Sequence, residues 1–316
     1  MNTEINIPLV AIKCLVYNHE LYLRDCLEGF VMQQTNFPFV AIVHDDASTD
    51  GSAAIIREYE EKYPHIFKPI YETENQYSKR DGSLDRIMNA AIEATGAKYV
   101  AMCEGDDYWT DPLKLQKQVD FMEANPEYSL CFHKVRTLDV QQGDMLDDLD
   151  TQMLGHSTIT DLALRNYIHT PSVLYRIYPM VYDKIQQMGN CCLGDYILWM
   201  FLAEKGPIFK LDEHMSVYRF GCGIWTSSPS YKNYINFIYV LVKLINLIDR
   251  SEVRSILLIQ IESINQKLIN EYATINRLLI QLRSSYPYRI GKLLFKPFHW
   301  IRRNYLKFSF RKLCNH

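Results

Sequence analysis

The first long apolar run, Val10 to Val16, is entered from Pro8 and shows no polar alternation, which predicts a strand covered on both faces in a parallel sheet. Tyr17-Asn18 ends it. Leu23, Leu27, Phe30 and Val31 then recur at helical spacing, so Glu20 to Gln33 reads as the first helix. A second strand, Phe39 to Val43, runs into Asp45-Asp46, and Thr49-Asp50-Gly51-Ser52 caps a helix to Tyr63. A short strand is expected at Phe67 to Tyr71, and Leu84 to Thr95 makes a helix stopped by Gly96. Tyr99 to Cys103 is a further strand, and it ends in three carboxylates around a glycine, Glu104-Gly105-Asp106-Asp107. Asp111-Pro112 opens the next helix as N-cap and first-turn residues. Leu115, Val119 and Met122 give that helix its buried face, and Asn125-Pro126 ends it. Alternating strands and helices are the pattern of a doubly wound α/β sheet.

Beyond Pro126 the pattern loosens. Tyr128 to Val135 reads as a strand, Thr137 to Leu154 as a flexible acidic loop, and Tyr196 to Ala203 as an apolar helix. Tyr231 to Ile248 is apolar almost throughout, with Lys232 and Lys243 its only charges, which predicts a buried helix. After Ser251, residues Leu257, Ile261, Ile264, Leu268, Ile275, Leu279 and Leu282 recur every three or four positions, a helix with a narrow apolar seam. That seam serves either a hairpin with the preceding helix or a homodimer.

Composition sharpens the last segment. The chain has 316 residues, 48% of them hydrophobic, enough for one α/β domain with an appendage. Set against a whole-chain charge of −3, eight cations and no acid from Ser284 to His316 leave −11 on residues 1–283. Tyr288, Phe295, Phe298, Trp300, Tyr305 and Phe308 accompany those cations, a mixture suited to the headgroup layer of an anionic membrane. No nucleic-acid motif supports the competing reading. The eight cysteines include no CxxC pair and several fall in apolar runs, which points to a reducing compartment. Met1 to Pro8 lacks the apolar core of a secretory signal, and no uncharged stretch reaches about eighteen residues. The expected place is the cytoplasm, peripheral to the inner face of the cell membrane.

The acidic turn carries the chemistry. Carboxylates this crowded repel one another unless a cation or a positively polarised ligand sits among them. Hard oxygen donors favour Mg²⁺ or Mn²⁺, which also bind substrate phosphates. The plain alternative is a solvated turn ahead of a helix cap. In open α/β sheets ligands bind outside the carboxyl ends of strands, and both acidic motifs stand at such ends.

Glu104-Gly105-Asp106-Asp107-x-Trp109, followed by Asp111-Pro112-x-Lys114-Leu115, resembles the Asp-x-Asp region of family 2 glycosyltransferases, which have the GT-A fold. Val43 to Ser52 resembles the first acidic motif of the same family, in the right order. The resemblance covers residues 7 to 227. It implies an inverting transferase acting on a nucleotide sugar, a UDP-sugar by the family pattern, with a glycan or lipid-linked hydroxyl as acceptor in surface polysaccharide biosynthesis. It further implies that Asp46 meets the imide of a uracil-type base, that Asp106 meets ribose, and that Asp107 and Glu104 hold the metal. Tyr17, Asn18 and Asn89 join the donor side; Asn89 matches the asparagine of an "ARN" helix motif whose arginine is Met88 here, with Arg86 as a substitute cation. Thr73 to Ser78 resembles a donor loop, or is a plain connection.

Asn166 to Val173 resembles the strand beneath the acceptor sugar, which assigns His169 and Thr170 to the acceptor; His169 considered alone reads first as a structural histidine. Gly194-Asp195 occupies the family's general-base position, and by itself Asp195 also reads as a helix cap. Tyr218-Arg219 and Gly221 to Trp225 resemble the end of the catalytic domain. Some relatives place a metal-binding histidine shortly after that Tyr-Arg pair; here Phe220 and Gly221 follow, which passes the diphosphate to Arg219 and the glycine-loop amides, with Trp225 toward the acceptor. His214 is expected to face solvent.

The resulting division is a GT-A catalytic domain at 1–227, a helical hairpin at 228–283 and a basic aromatic tail at 284–316. Two other readings stand beside it: a sugar-phosphate nucleotidyltransferase, although Cys14 to Glu20 lacks a glycine-rich phosphate loop, and a non-catalytic scaffold of the same fold.

Overall fold

The computed structural model describes residues 7–147, 155–189, 193–223 and 229–284. The elements in order are β1 Val10–Val16, α1 Leu23–Val31, β2 Phe39–Asp45, α2 Ser52–Lys62, β3 Ile70–Tyr71, α3 Gln76–Lys79, α4 Ser83–Thr95, β4 Tyr99–Met102, β5 Tyr108–Trp109 and α5 Lys114–Ala124. They continue with β6 Leu130–Asp139, β7 Met145–Asp147, β8 Gly155–Ser157, α6 Ile159–Leu164, a 3-10 turn at Thr170–Ser172, β9 Leu174–Arg176, α7 Pro179–Met188, α8 Gly194–Ala203 and β10 Ile208–Phe220. Two long helices follow, α9 Ser230–Leu247 and α10 Ser251–Ser284.

The sheet runs β3-β2-β1-β4-β9-β6-β10-β5, with β7 on β6 and β8 on β10. Its first half is parallel, as the unbroken apolar runs require: Val10 lies beside Phe39 on one side and Tyr99 on the other. Burial agrees, since Val10, Ile12, Cys14, Ala41, Val43 and Tyr99 to Ala101 are sealed from water. The second half is mixed, because β9 runs antiparallel to both β4 and β6 while β10 lies parallel to β6. β10 changes register twice, between Leu211 and His214 and again before Ser216, and its far half pairs antiparallel with β5 at Ser216 and Val217. That pairing ties the acidic turn to a strand more than a hundred residues along the chain.

Several expected elements differ. α5 begins at Lys114, with Leu113 at the cap position, and Asp111 stands two residues ahead of that cap, its carboxylate accepting from the Leu113 amide (2.8 Å) and from Lys117 (2.8 Å). The stretch 137–147 is not a loop: β6 extends to Asp139 and turns into β7, and the rest of that segment to Leu154 lies outside the described residues. Asn166 to Val173 is not a strand either, since Pro171 directs it into the 3-10 turn. Helix α9 is buried along one face only: Val240, Leu241 and Leu244 are covered, whereas Tyr231, Ile235, Tyr239 and Val242 are exposed. A continuous apolar run conceals which face is which. His214 is half-buried, with its Nε2 closed off from water, so it does not face solvent.

The chain divides into two compact units, 1–261 and 262–316, so the boundary falls inside α10. Of the second unit, residues 262–284 are described and are helical; the basic aromatic tail beyond Ser284 lies outside the described residues. No described helix is long and apolar enough to cross a membrane.

Trp109 anchors the acidic turn. Its ring meets Phe30 edge-on at 4.8 Å, carries the buried Lys114 ammonium at 4.1 Å, and its indole N–H donates to the Pro171 carbonyl at 2.9 Å. Trp109→Ala should lower the unfolding free energy by about 3–5 kcal/mol in urea titrations, the range for emptying a packed aromatic site.

Candidate active site

The acidic turn is drawn tight by backbone bonds: Cys103 N–H donates to Lys13 O (3.2 Å), Gly105 N–H to Leu15 O (3.0 Å) and Asp107 N–H to Glu104 O (3.0 Å). Gly105 has to be glycine, since a Cβ there would lie 2.8 Å from His19 Nδ1 and 3.0 Å from Val16 Cγ2. Asp106 and Asp107 are 7% and 1% exposed. Arg219 holds them from the end of β10. Its N–H donates to Asp107 Oδ1 (2.8 Å), Nη1 donates to the Asp106 carbonyl (2.8 Å), and Nη2 pairs with Asp25. The guanidinium lies between the rings of Tyr22 and Tyr108, at 5.0 and 4.5 Å. Two of its five guanidinium N–H donors are thus given to the Asp106 carbonyl and to Asp25.

Like charges dominate the electrostatics. Burial first, then Asp106 and Asp195, push the Glu104 carboxyl up to about 8, with Lys13 pulling the other way. Burial and then Asp106 hold Asp107 well above the carboxylate range. Burial also raises Asp195, opposed by the Asp195 and Tyr196 amides at the start of α8. The Tyr218 phenol is raised by burial and by Asp107, Glu104 and Asp106. Asp195 therefore stands within electrostatic reach of Glu104, although a whole half-sheet separates them in sequence. His19, lowered by burial against the pull of Asp106 and Asp50, completes the near side.

The first acidic motif is built differently. Asp46 is buried, and its carboxylate oxygens accept from the amides of Gln76 (2.6 Å) and Tyr77 (3.1 Å), so the segment Thr73 to Ser78 leads into the short helix α3, which is capped by Asn75 and docked on Asp46. Each oxygen retains a lone pair for a base N–H. Asn18, at φ 57°, accepts from the Thr49 amide (2.7 Å) and gives its own amide to Ser48 (3.0 Å), which braces the loop beside half-exposed Tyr17. Ala47 (φ 60°) and Leu193 (φ 65°) are also left-handed without being glycine, so three of the four such residues described flank these loops.

Of the remaining candidates, Asn89 is half-buried on α4, and Arg86 is exposed and donates to Asp81 O (2.7 Å). His169 faces the Tyr218 ring at 4.8 Å, and Thr170 begins the buried 3-10 turn beside it. Trp225 lies outside the described residues. Sequence reasoning gave no role to His19, Tyr218 or Cys222. The Cys222 thiol reaches Asp106 Oδ2 at 3.6 Å, and burial with Asp106 pushes it up to about 12. The signal for His19 was Gly105, whose missing side chain admits its ring.

Among the described residues no three His, Cys, Asp or Glu side chains are gathered so as to hold a metal ion by themselves. The donors nevertheless fit a divalent cation shared with a ligand: Asp106 Oδ1 is buried without a partner among the described residues, and Mg²⁺-type ions take one or two carboxylates with substrate phosphates completing the shell.

A carboxyl raised from the ordinary 4.5 to about 8 on folding keeps a proton the unfolded chain has lost, so the fold loses stability as pH rises through that window. In EDTA, Glu104→Gln should raise the calorimetric Tm at pH 8 by roughly 2–4 °C, and by less at pH 5.

The sequence pattern of Glycosyl transferase family 2 matches residues 14–181. Rv1520 of Mycobacterium tuberculosis, itself uncharacterized, is 40% identical over 223 residues, 69% of this chain and 61% of its own length. The chain thus spans about three-fifths of that relative. Among solved structures, S. aureus TarS 1-349 in complex with UDP-GlcNAc superposes with a TM-score of 0.57 at 17% identity, covering 89% of this chain and 77% of TarS 1-349. The mannosyltransferase PcManGT from Pyrobaculum calidifontis, in complex with GDP-Man and Mn²⁺, gives 0.55 at 15%, covering 90% and 83%. The fold is accordingly GT-A, and the chain belongs to glycosyl transferase family 2.

Proposed function

We propose that this chain transfers a sugar, with inversion, from a UDP-sugar to a hydroxyl of a glycan or lipid-linked acceptor in surface polysaccharide assembly. What supports the reading is the acidic turn after β4, with Asp106 and Asp107 buried, together with Asp195 at the start of α8, whose charge contributes to raising Glu104. Asp46, Asp106 and Asn18 would hold the nucleoside, and His169 and Thr170 the acceptor.

Asp195 takes the proton of the acceptor hydroxyl while that oxygen bonds to the anomeric carbon from the face opposite the diphosphate. The bond from the anomeric carbon to the diphosphate oxygen breaks, and its electron pair leaves with the nucleotide. Burial raises the Asp195 carboxyl, the direction that strengthens a general base. Asp107 and Glu104 would hold Mg²⁺ or Mn²⁺, which when bound stabilises charge on the leaving diphosphate. Arg219 fixes the turn that presents those carboxylates. The basic aromatic segment 284–316 supports a lipid-linked acceptor met at an anionic membrane surface.

Retained acids favour an enzyme over a scaffold, since Asp106, Asp107 and Asp195 are all present. Calorimetric titration with UDP and with GDP, each with Mn²⁺ and with EDTA, tests the donor site. Metal-dependent binding of UDP alone is expected; binding of GDP alone changes the donor, and binding of neither returns the scaffold reading. Asp195→Asn should bind UDP as the parent does while transfer to an acceptor falls by roughly 10²- to 10⁴-fold, and unimpaired transfer removes Asp195 as base.

A further inference from the structure

The 3-10 turn at Thr170–Ser172 is held by two side chains that follow the acidic turn in sequence. The Trp109 indole N–H donates to the Pro171 carbonyl (2.9 Å), and Gln118 Nε2 donates to the Ser172 carbonyl (2.9 Å). Lys114 serves both: its Nζ donates to Gln118 Oε1 (2.7 Å) and lies 4.1 Å from the centre of the Trp109 ring. Lys114 and Gln118 are fully buried, and no carboxylate among the described residues pairs with the ammonium. The groups that face it are the thiols of Cys103 and Cys131 and the His133 imidazole, and burial pulls it down to about 7. A buried ammonium and amide cost stability relative to an apolar pair of the same volume, so packing alone does not account for them. What they supply is direction. An ammonium only donates, so it takes the Gln118 oxygen and turns the amide N–H toward Ser172. Ser172 in turn gives its amide (3.0 Å) and its hydroxyl (2.6 Å) to the His169 carbonyl, and the His169 ring faces Tyr218 at 4.8 Å.

We propose that Lys114 and Gln118 are positioning residues for the acceptor: they set the turn that carries His169 and Thr170 relative to the acidic turn, and touch neither donor nor acceptor themselves. The inference rests on the proposed function in one respect, the assignment of His169 and Thr170 to the acceptor.

The test compares the full chain with Lys114→Met, Gln118→Leu, the double variant and Gln118→Glu. Each is followed by amide hydrogen exchange, thermal melting and calorimetric titration with UDP and Mn²⁺. UDP release from UDP-glucose and UDP-N-acetylglucosamine is measured with octyl β-D-glucoside and octyl β-D-galactoside as acceptor probes. In the double variant Tm should fall by less than about 3 °C. UDP affinity should stay within about twofold, because the acidic turn keeps its own backbone bonds. The Ser172 and Val173 amides should exchange about tenfold faster or more, and the acceptor KM should rise about tenfold with the donor KM unchanged. Gln118→Glu separates the readings, since it gives Lys114 a full ion pair yet has no N–H for Ser172. It should loosen the turn as Gln118→Leu does, whereas a merely structural pair would be satisfied by glutamate and leave exchange there as in the parent. Turn amides protected as in the parent, exchange that rises only in step with a global loss of stability, or an unchanged acceptor KM overturns the proposal. In a parent that binds UDP but uses neither probe, the exchange comparison alone decides. If the parent binds no UDP while the turn still loosens in the variants, the functional reading fails and the acceptor role falls with it.

Discussion

Arg219 ties the end of β10 to the turn that carries two adjacent buried carboxylates. Through one amide and one guanidinium it fixes Asp107 and the Asp106 carbonyl, and it is itself held between two tyrosine rings and Asp25. A buried cation spread over a planar fork suits this better than an ammonium, because it presents directed donors to several partners at once. The bond from β10 also explains why that strand must change register twice: only its displaced far half reaches β5 and the acidic turn. The sheet, the bulged strand and the site are one construction.

How much of this is legible in sequence depends on the range of the contact. Strands β1, β2 and β4 announce themselves as unbroken apolar runs, because both faces are covered. The acidic turn is legible because its three carboxylates lie within four residues. The antiparallel β9 and the two-residue β5 carry no such local pattern; their partners lie far along the chain, and pairing alone defines them. The same holds for side chains. Asp195 was reached through a family resemblance, and its nearness to Glu104 is a tertiary fact. Asp46 read as a base contact, but its bonds to the Gln76 and Tyr77 amides also make it the dock of α3. Cys222 sits in a loop whose sequence neighbours say nothing about Asp106.

The site is also where the fold is least at ease. Glu104 and Asp107 are pushed toward their neutral forms by burial and by Asp106, and Ala47 and Leu193 take left-handed backbone that their side chains resist. Each of these features opposes stability in the free protein, and the covered sheet behind them has to outweigh it. On the proposed reading, a bound cation would replace the protons, and its affinity would grow with pH as Glu104 and Asp107 ionise. Neutral Gln or Asn at these positions would fold more comfortably and hold the ion less. The acidic turn is therefore a place where burial works against charge, and the covered sheet behind it supplies the stability that keeps those carboxyls in place.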